Sequence, residues 1–198
     1  MADHYFSQAP ASAHRPGRCE FLFRGHALAF ETDAGVFSRD GVDKGTALLL
    51  SALPPLSGPV LDLGCGWGAV GIAVKKAYPQ ALVTMADINQ RAVELSRKNA
   101  AANGAPVRVV QSDGFAALAG ESFSFILSNP PIRAGKQVLY GLFQSAAIHL
   151  IPGGRLYIVI RKQQGAPSAI AFLETVYDKV QVVEKGGGFW VIRSDTAI

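Results

Sequence analysis

A glycine-rich turn between two apolar segments is the first feature whose residue types point to chemistry. In VLDLGCGWGAVG an apolar run ends on Asp62, and Gly64, Gly66 and Gly68 follow before a new apolar pattern starts. Glycine has no Cβ and adopts positive φ readily, so a ligand can lie against bare backbone beside the free N–H groups of a helix start. Any strand-to-helix turn can have this composition, so a nucleotide-type pocket is predicted only together with further motifs.

Acids close the next two apolar runs. Asp87 comes nineteen positions after Gly68, close to the spacing at which a carboxylate meets a nucleotide ribose. Asp113, between Ser112 and Gly114, is placed to accept a hydrogen bond from an adenine amine. Alone, Asp87 would be a helix N-cap and Asp113 part of a turn. Acids at three successive strand ends favour a ligand site, because ligands bind beyond the carboxyl ends of strands in open α/β sheets.

The fourth apolar run ends in Asn129-Pro130-Pro131-Ile132. Proline lacks an N–H donor, so the strand stops there and Asn129 is held away from helical geometry. The Asn129 amide oxygen and the Pro130 carbonyl can then accept the two hydrogens of an exocyclic amine, turn its lone pair toward an electrophilic methyl group and stabilise the developing charge. The alternative is an ordinary Asn-Pro turn.

Alternating strands and helices must position these residues. The repeated pattern predicts an α/β fold with a doubly wound, mostly parallel sheet, an N-terminal β-hairpin over residues 19–32 and a C-terminal antiparallel hairpin. The predicted core strands are 60–63, 81–86, 107–111, 123–127, 156–160, 180–184 and 189–193. The predicted helices are 43–53, 69–77, 90–102, 138–150 and 168–177, with a short helical segment at 115–118.

The length of 198 residues suits one domain with a sizeable core. We expect a loosely ordered arm over residues 1–17, a β-hairpin and loop over 18–45, and the main α/β core over 46–198. Phe37 and Ser38 lie in the loop, where the Phe37 ring either stacks on a flat ligand or packs the hairpin onto the sheet.

Composition limits the partners. The net charge of +4 and the pI near 9.2 fit either a polyanionic partner or a solvated surface. Cys19 and Cys65 have neither the spacing of a zinc site nor that of a disulfide framework, so we expect no metal. The sequence shows no signal peptide pattern and no run long enough to span a bilayer, so a cytoplasmic protein is expected. Nothing in the sequence predicts an oligomeric state.

In this order, the glycine motif, the two acids and Asn129-Pro130-Pro131 resemble the class I S-adenosylmethionine-dependent methyltransferases. The stretches FSRDGVDKGTALLL and NPPIRAGK are similar to the methyltransferase small domain family, which includes enzymes acting on guanine N2 of small-subunit ribosomal RNA. The resemblance covers residues 35–193. It implies a Rossmann-like fold, S-adenosylmethionine as cofactor and catalysis by Asn129, Pro130 and Pro131.

The resemblance also implies how the cofactor is held. The glycine turn would pass under its methionine part, the second acid would bind its ribose, the third would frame its adenine, and the aromatic loop would close the pocket. The implied cofactor-binding residues are Phe37, Ser38, Asp62, Gly64, Cys65, Gly66, Asp87, Ile88, Asp113, Gly114 and Asn129.

The implied substrate side departs from the family pattern in one place. Base-modifying relatives often carry an aromatic residue after the two prolines, and here Ile132 takes that place. Arg133 and Lys136 are placed to bind RNA phosphate, with Arg161 and Lys162 at the end of the fifth strand as further candidates. Solvated loop charges are the alternative interpretation of all four cations.

These observations favour an enzyme that methylates an exocyclic amine of an RNA base, with guanine N2 in small-subunit ribosomal RNA as the leading choice. A protein-glutamine N-methyltransferase is the closest alternative, because an amide nitrogen has the same delocalised lone pair. A nicotinamide-dependent dehydrogenase also satisfies the looser glycine pattern. A non-catalytic RNA-binding module that kept the fold is the third alternative.

Overall fold

Two sheets organise the computed structural model, which describes residues 14–198. The smaller sheet is the predicted N-terminal β-hairpin, and its tight turn lies at Arg24 and Gly25, which both adopt positive φ. Alternate residues of its second strand, such as Leu28 and Phe30, are buried in the core. The two strands are β1 (Gly17–Phe23) and β2 (His26–Thr32).

Within the described part of the chain, seven strands form the larger sheet. They are β3 (Gly58–Leu63), β4 (Ala81–Asp87), β5 (Arg108–Gln111), β6 (Phe123–Ser128), β7 (Leu150–Arg161), β8 (Lys179–Gly186) and β9 (Phe189–Asp195). Their order is β5-β4-β3-β6-β7-β9-β8, and β9 alone runs antiparallel to its neighbours. The predicted fold class is confirmed. Because the strand order reverses between β3 and β6, a crevice opens beyond their carboxyl ends.

The helices cover both faces of the sheet. They are α1 (Lys44–Ser51), α2 (Ala69–Ala77), α3 (Gln90–Ala102), α4 (Lys136–Ile148) and α5 (Ala166–Leu173). The hairpin, α1, α2 and α3 share one buried apolar cluster, and α4 and α5 share the other. Asp43 and Asn89 start α1 and α3 as N-caps, since each side chain accepts hydrogen bonds from two backbone N–H groups of the first turn. Short 3-10 turns lie at Ile132–Ala134 and Lys162–Gln164.

The predicted helical segment at 115–118 is wrong. The chain there forms consecutive turns, in which the Ala116 N–H donates to the Asp113 carbonyl and the Leu118 N–H to the Phe115 carbonyl. Gly114 and Gly120 both have positive φ, which leaves too few residues between them to nucleate a helix. Phe115 and Leu118 are nevertheless buried in the second apolar cluster.

Two predicted boundaries also need correction. The strand predicted over 156–160 starts at Leu150, and the apolar pattern did not indicate its first part, which includes Gly153 at a φ of 72°. The helix predicted over 168–177 ends at Leu173, and turns follow it, with the Val176 N–H bonded to the Leu173 carbonyl.

Most of the predicted arm, residues 1–13, lies outside the described residues. Where the description begins, the Arg15 N–H donates to the buried Asp33 carboxylate at 2.5 Å and the His14 ring contacts the other Asp33 oxygen. Gly17 already belongs to β1. None of the helices between residues 14 and 198 has both the length and the apolar character that a membrane span needs.

Candidate active site

A cleft opens where β3, β4, β5 and β6 end. All eleven residues predicted to bind the cofactor line this cleft, although they come from five separate segments of the chain. The carboxyl ends of adjacent parallel strands meet at one edge of the sheet, which explains the convergence. The individual roles of these residues remain predictions.

The glycine turn presents bare backbone to the cleft. Gly64 and Gly66 have φ of 73° and 56°, a region that side chains rarely adopt. A Cβ placed on Gly64 would meet nothing within 4 Å, so the space above this backbone is open. The Gly64 and Cys65 N–H groups donate to the Ala86 carbonyl at 2.8 and 3.0 Å, which fixes the turn against β4.

Asp87 is fixed by backbone donors while it keeps acceptor capacity for a ligand. One carboxylate oxygen accepts from the Gly66 N–H at 2.8 Å and the other from the Asn89 N–H at 2.9 Å. Burial raises the pKa of Asp87 above its ordinary value, and these hydrogen bonds oppose the rise. Each carboxylate oxygen has a second lone pair, so a pair of adjacent hydroxyls in the cleft can be bound.

Asp62 lies at the floor of the cleft and ties β3 to α2. Its side chain is buried, and one oxygen accepts from the Gly71 N–H at 2.8 Å. Burial raises the pKa of Asp62 from 3.8 to about 7, with a smaller contribution from the negative charge of Asp87. Asp62 is therefore protonated in much of the folded protein near neutral pH.

Trp67 anchors the loop that carries Phe37 and Ser38. Its indole N–H donates to the Phe37 carbonyl at 2.9 Å and to the Ser38 carbonyl at 3.3 Å. Ser38 adopts positive φ, and its hydroxyl donates to the Gly41 carbonyl. The Phe37 side chain lines the cleft, as the ligand-stacking interpretation requires, and the residue is 39% exposed.

The Asn129 amide is oriented by two residues at the start of α1. Its nitrogen donates to the Thr46 hydroxyl oxygen at 3.0 Å and approaches an Asp43 carboxylate oxygen at 3.4 Å. The Thr46 hydroxyl donates its own hydrogen to that Asp43 oxygen at 2.5 Å, so it can only accept from Asn129. The Asn129 amide oxygen then lies on the far side, where it has no donor among residues 14–198.

The remaining predicted residues are divided between the cleft and its surroundings. Pro131 lines the cleft, whereas Pro130 is buried and is not among the lining residues. Ile132 packs partly against the second apolar cluster and is not among the lining residues. Arg133 and Lys136 are exposed just beyond the cleft.

Several lining residues were missed from the sequence. Asp43 and Thr46 were predicted only as part of a helix, Val138 only as the start of another helix, and Trp67 only as a residue of the glycine-rich turn. Their partners lie far away in the chain, so only the fold brings them to the site. Among the described residues, no three His, Cys, Asp or Glu side chains are grouped so that they could hold a metal ion.

Comparisons with known proteins agree with this geometry. The sequence profile of the methyltransferase small domain family matches residues 27–193. The chain is 42% identical over 198 residues to the uncharacterized protein YbxB of Bacillus subtilis, with 98% of each chain covered. It is 46% identical over 130 residues to ribosomal RNA small subunit methyltransferase C of Pasteurella multocida, which covers 63% of this chain and 39% of that one.

A solved structure of a named methyltransferase has a similar fold. The 16S rRNA N2 methyltransferase of T. Thermophilus, in complex with AdoMet and guanosine, superposes with a TM-score of 0.83 and 26% identity over 94% of this chain and 52% of that one. The chain thus spans about half the length, or less, of these named methyltransferases. The profile match and the YbxB match over nearly the whole chain show that the protein belongs to the methyltransferase small domain family.

Proposed function

We propose that this S-adenosylmethionine-dependent methyltransferase modifies an exocyclic amine of an RNA base, with guanine N2 in small-subunit ribosomal RNA as the acceptor. The observation that carries the proposal is the orientation of the Asn129 amide. Its nitrogen donates a hydrogen bond to the Thr46 hydroxyl, and its oxygen is left for a ligand. The related methyltransferase C proteins are named for small-subunit ribosomal RNA, and the T. Thermophilus structure contains guanosine, which supports this choice of acceptor.

The cleft fits S-adenosylmethionine. Asp87 offers two oriented oxygens to the ribose hydroxyls, and the open backbone at Gly64 leaves room for the methionine part. The anchored Phe37 loop covers the cleft and helps to exclude water from it. When bound, S-adenosylmethionine supplies an electrophilic methyl group on a positively charged sulfur.

The role of the protein is to prepare the amine. The lone pair of guanine N2 is delocalised into the ring, so the nitrogen is a poor nucleophile. The Asn129 oxygen and the Pro130 carbonyl accept its two hydrogens and direct the lone pair toward the methyl group. As the nitrogen–carbon bond forms and the sulfur–carbon bond breaks, the same two oxygens stabilise the positive charge on nitrogen. One amine proton then leaves to solvent.

A protein-glutamine acceptor is the second candidate, since an amide nitrogen needs the same preparation. The base is favoured because the chain carries an excess of positive charge and because the relatives are named for ribosomal RNA. Ile132 lacks the ring that would stack on the base, so base recognition must rely on other groups at the cleft.

Transfer of a radiolabelled methyl group tests the proposal. Purified protein is incubated with labelled S-adenosylmethionine, undermethylated small-subunit ribosomal RNA and a bacterial protein extract in separate reactions. We expect label in the RNA, and none with Asn129→Ala, whose binding of S-adenosylhomocysteine stays normal. Label in protein but not in RNA would contradict the RNA proposal.

A further inference from the structure

The carboxyl edge of the large sheet has two chemically different halves. The β5-β4-β3 half ends in acids and holds the cofactor cleft. The β6-β7-β9-β8 half is bordered by exposed cations, which we name the cationic rim. The cationic rim consists of Lys44, Arg133, Lys136, Arg161, Lys162 and Lys185.

The fold gathers these cations from distant parts of the chain. Arg161 ends β7 directly opposite Phe189, the first residue of β9, and Lys185 lies near the end of β8 at the same edge. The Lys162 N–H donates to the Gly188 carbonyl at 2.9 Å, which joins the turn after β7 to the tip of the β8–β9 hairpin.

The start of α1 connects the cationic rim to Asn129. A Cβ on Gly45 would come within 2.8 Å of the Phe189 ring, and one on Gly187 within 3.7 Å of the Lys44 side chain. The hairpin tip therefore packs against the helix turn that holds Asp43 and Thr46. A chain bound along the cationic rim would lead directly to the amide that prepares the amine.

The cationic rim is not neutralised by the protein itself. Within residues 14–198, none of its six side chains forms an ion pair with a carboxylate. Glu184 lies beside Lys185, but its carboxylate accepts from the Lys185 backbone N–H at 3.1 Å. Like charges gathered without counterions repel one another, and a polyanion relieves that repulsion.

Aromatic rings hold the cations in place. The Lys185 and Lys162 ammonium groups lie 4.7 and 5.8 Å from the centroid of the Trp190 ring, so two positive charges converge on one side chain. The Arg161 guanidinium lies 4.4 Å from the Phe189 ring centroid. Cation–π contacts restrain these long side chains and leave their donors available.

We infer that the cationic rim binds the phosphate backbone of the substrate RNA beside the modified base, an inference that rests on the proposed function. Point charges spaced along an edge suit a chain of phosphodiesters, which bear one charge at each nucleotide. The tip residues Gly186, Gly187 and Gly188 carry no side chains, so a bulky backbone can approach closely. An acidic protein segment is the competing occupant.

The double variant Lys162→Ala/Lys185→Ala tests the inference. Binding of a fluorescein-labelled unstructured RNA is measured over a range of salt concentrations, with S-adenosylhomocysteine present. We expect affinity to fall at least about 10-fold and the slope of log affinity against log salt to become smaller by about 1.4, since two phosphate contacts are lost. Binding of S-adenosylhomocysteine, followed by calorimetry, is expected to stay unchanged.

Lys76→Ala/Lys179→Ala is the matched control, because these two lysines lie toward the opposite edge of the sheet. It removes the same charge and is expected to leave RNA affinity within about 2-fold of wild type. Equal losses in both double variants, or no loss in either, would overturn the inference. Labelled polyglutamate that binds as tightly as RNA and responds to the same variants would also overturn it. The binding assay needs no turnover, so it can succeed even if the proposed methyl transfer fails.

Discussion

The Asn129 amide nitrogen lies 3.0 Å from the hydroxyl oxygen of Thr46, a residue 83 positions earlier in the chain. The direction of this hydrogen bond is fixed, because the Thr46 hydroxyl already donates to Asp43. Amide oxygen and nitrogen differ little in size, so this chain of donors and acceptors decides which of them a ligand meets. The start of α1 therefore sets the polarity of the candidate catalytic group, which directly follows β6.

Loss of the Thr46 hydroxyl is predicted to impair catalysis selectively. Thr46→Val keeps the side-chain shape but removes the nearer acceptor, so the Asn129 amide nitrogen keeps only its longer approach to Asp43. We expect kcat to fall about 10- to 100-fold, with the affinity for S-adenosylhomocysteine within about 2-fold of wild type. Steady-state kinetics and calorimetry check both values. Thr46→Ser restores the hydroxyl and should recover most of kcat; equal activity of the Val and Ser variants would show that the hydrogen bond is irrelevant.

Asp62 is predicted to make stability depend on pH. Its pKa is about 7 in the folded protein against an ordinary 3.8, so between these values the unfolded chain loses a proton that the folded protein keeps. The unfolded state is favoured as pH rises through this range, and the free energy of unfolding falls. From about pH 5.5 to about pH 8 we expect Asp62 to lower it by on the order of 2 kcal/mol.

Urea unfolding of wild type and Asp62→Asn at the two pH values isolates this effect. The amide keeps an acceptor for the Gly71 N–H but cannot ionise, so the variant should lose stability less steeply as pH rises. Glu20→Gln, at an exposed position of β1, is the control for removal of one carboxylate. Parallel pH dependence in wild type and Asp62→Asn would contradict the raised pKa.

Two helical glycines are predicted to respond in opposite directions to alanine. A Cβ on Gly71 in α2 would lie 2.4 Å from the Met85 sulfur, so α2 must move away from β4. We expect Gly71→Ala to cost about 1–3 kcal/mol of unfolding free energy. A Cβ on Gly141 in α4 meets nothing within 4 Å, and Gly141→Ala should gain about 0.5–1 kcal/mol through helix propensity. Urea unfolding measures both changes, and a stabilised Gly71→Ala would show that α2 does not pack closely here.

Asp87 is predicted to dominate cofactor affinity. Asp87→Ala removes both the acceptor for the Gly66 N–H and the oxygens offered to the ribose. We expect S-adenosylhomocysteine to bind on the order of 100-fold more weakly by calorimetry. Glu94→Ala on the exposed side of α3 is the matched control and should bind normally. Unchanged affinity in Asp87→Ala would remove this residue from the cofactor site.

The sequence was sufficient to predict the fold class and the position of the cleft. Glycines, acids and prolines that end consecutive strands carry local signals, and parallel strands bring such ends to one edge. Asp87 and Asp113 were therefore predicted to share one cleft, and the structure places both of them there. The helix predicted over 115–118 is wrong because the apolar residues there are buried although they lie in turns. Burial alone does not specify a helix.

Contacts between remote segments could not be predicted in this way. The sequence around Thr46 is typical of an ordinary first helical turn. Nothing near Thr46 in the chain indicates a contact with Asn129. The sequence shows Trp67 only as a residue of the glycine-rich turn, and its hydrogen bond to the Phe37 carbonyl shows that it anchors a loop. Lys185 meets Lys162 over Trp190 because β9 pairs with both β7 and β8. The local pattern predicted the β8–β9 hairpin, but it does not specify the pairing of β9 with β7.

Identification of the methylated nucleoside tests directly whether the protein methylates guanine N2 in small-subunit ribosomal RNA. Undermethylated small-subunit ribosomal RNA is incubated with the protein and S-adenosylmethionine bearing a deuterated methyl group, then digested to nucleosides for mass spectrometry. We expect deuterated N2-methylguanosine with wild type and none with Asn129→Ala. Deuterium in a ring-carbon methyl group or in a ribose methyl group, with none on an exocyclic amine, would contradict it.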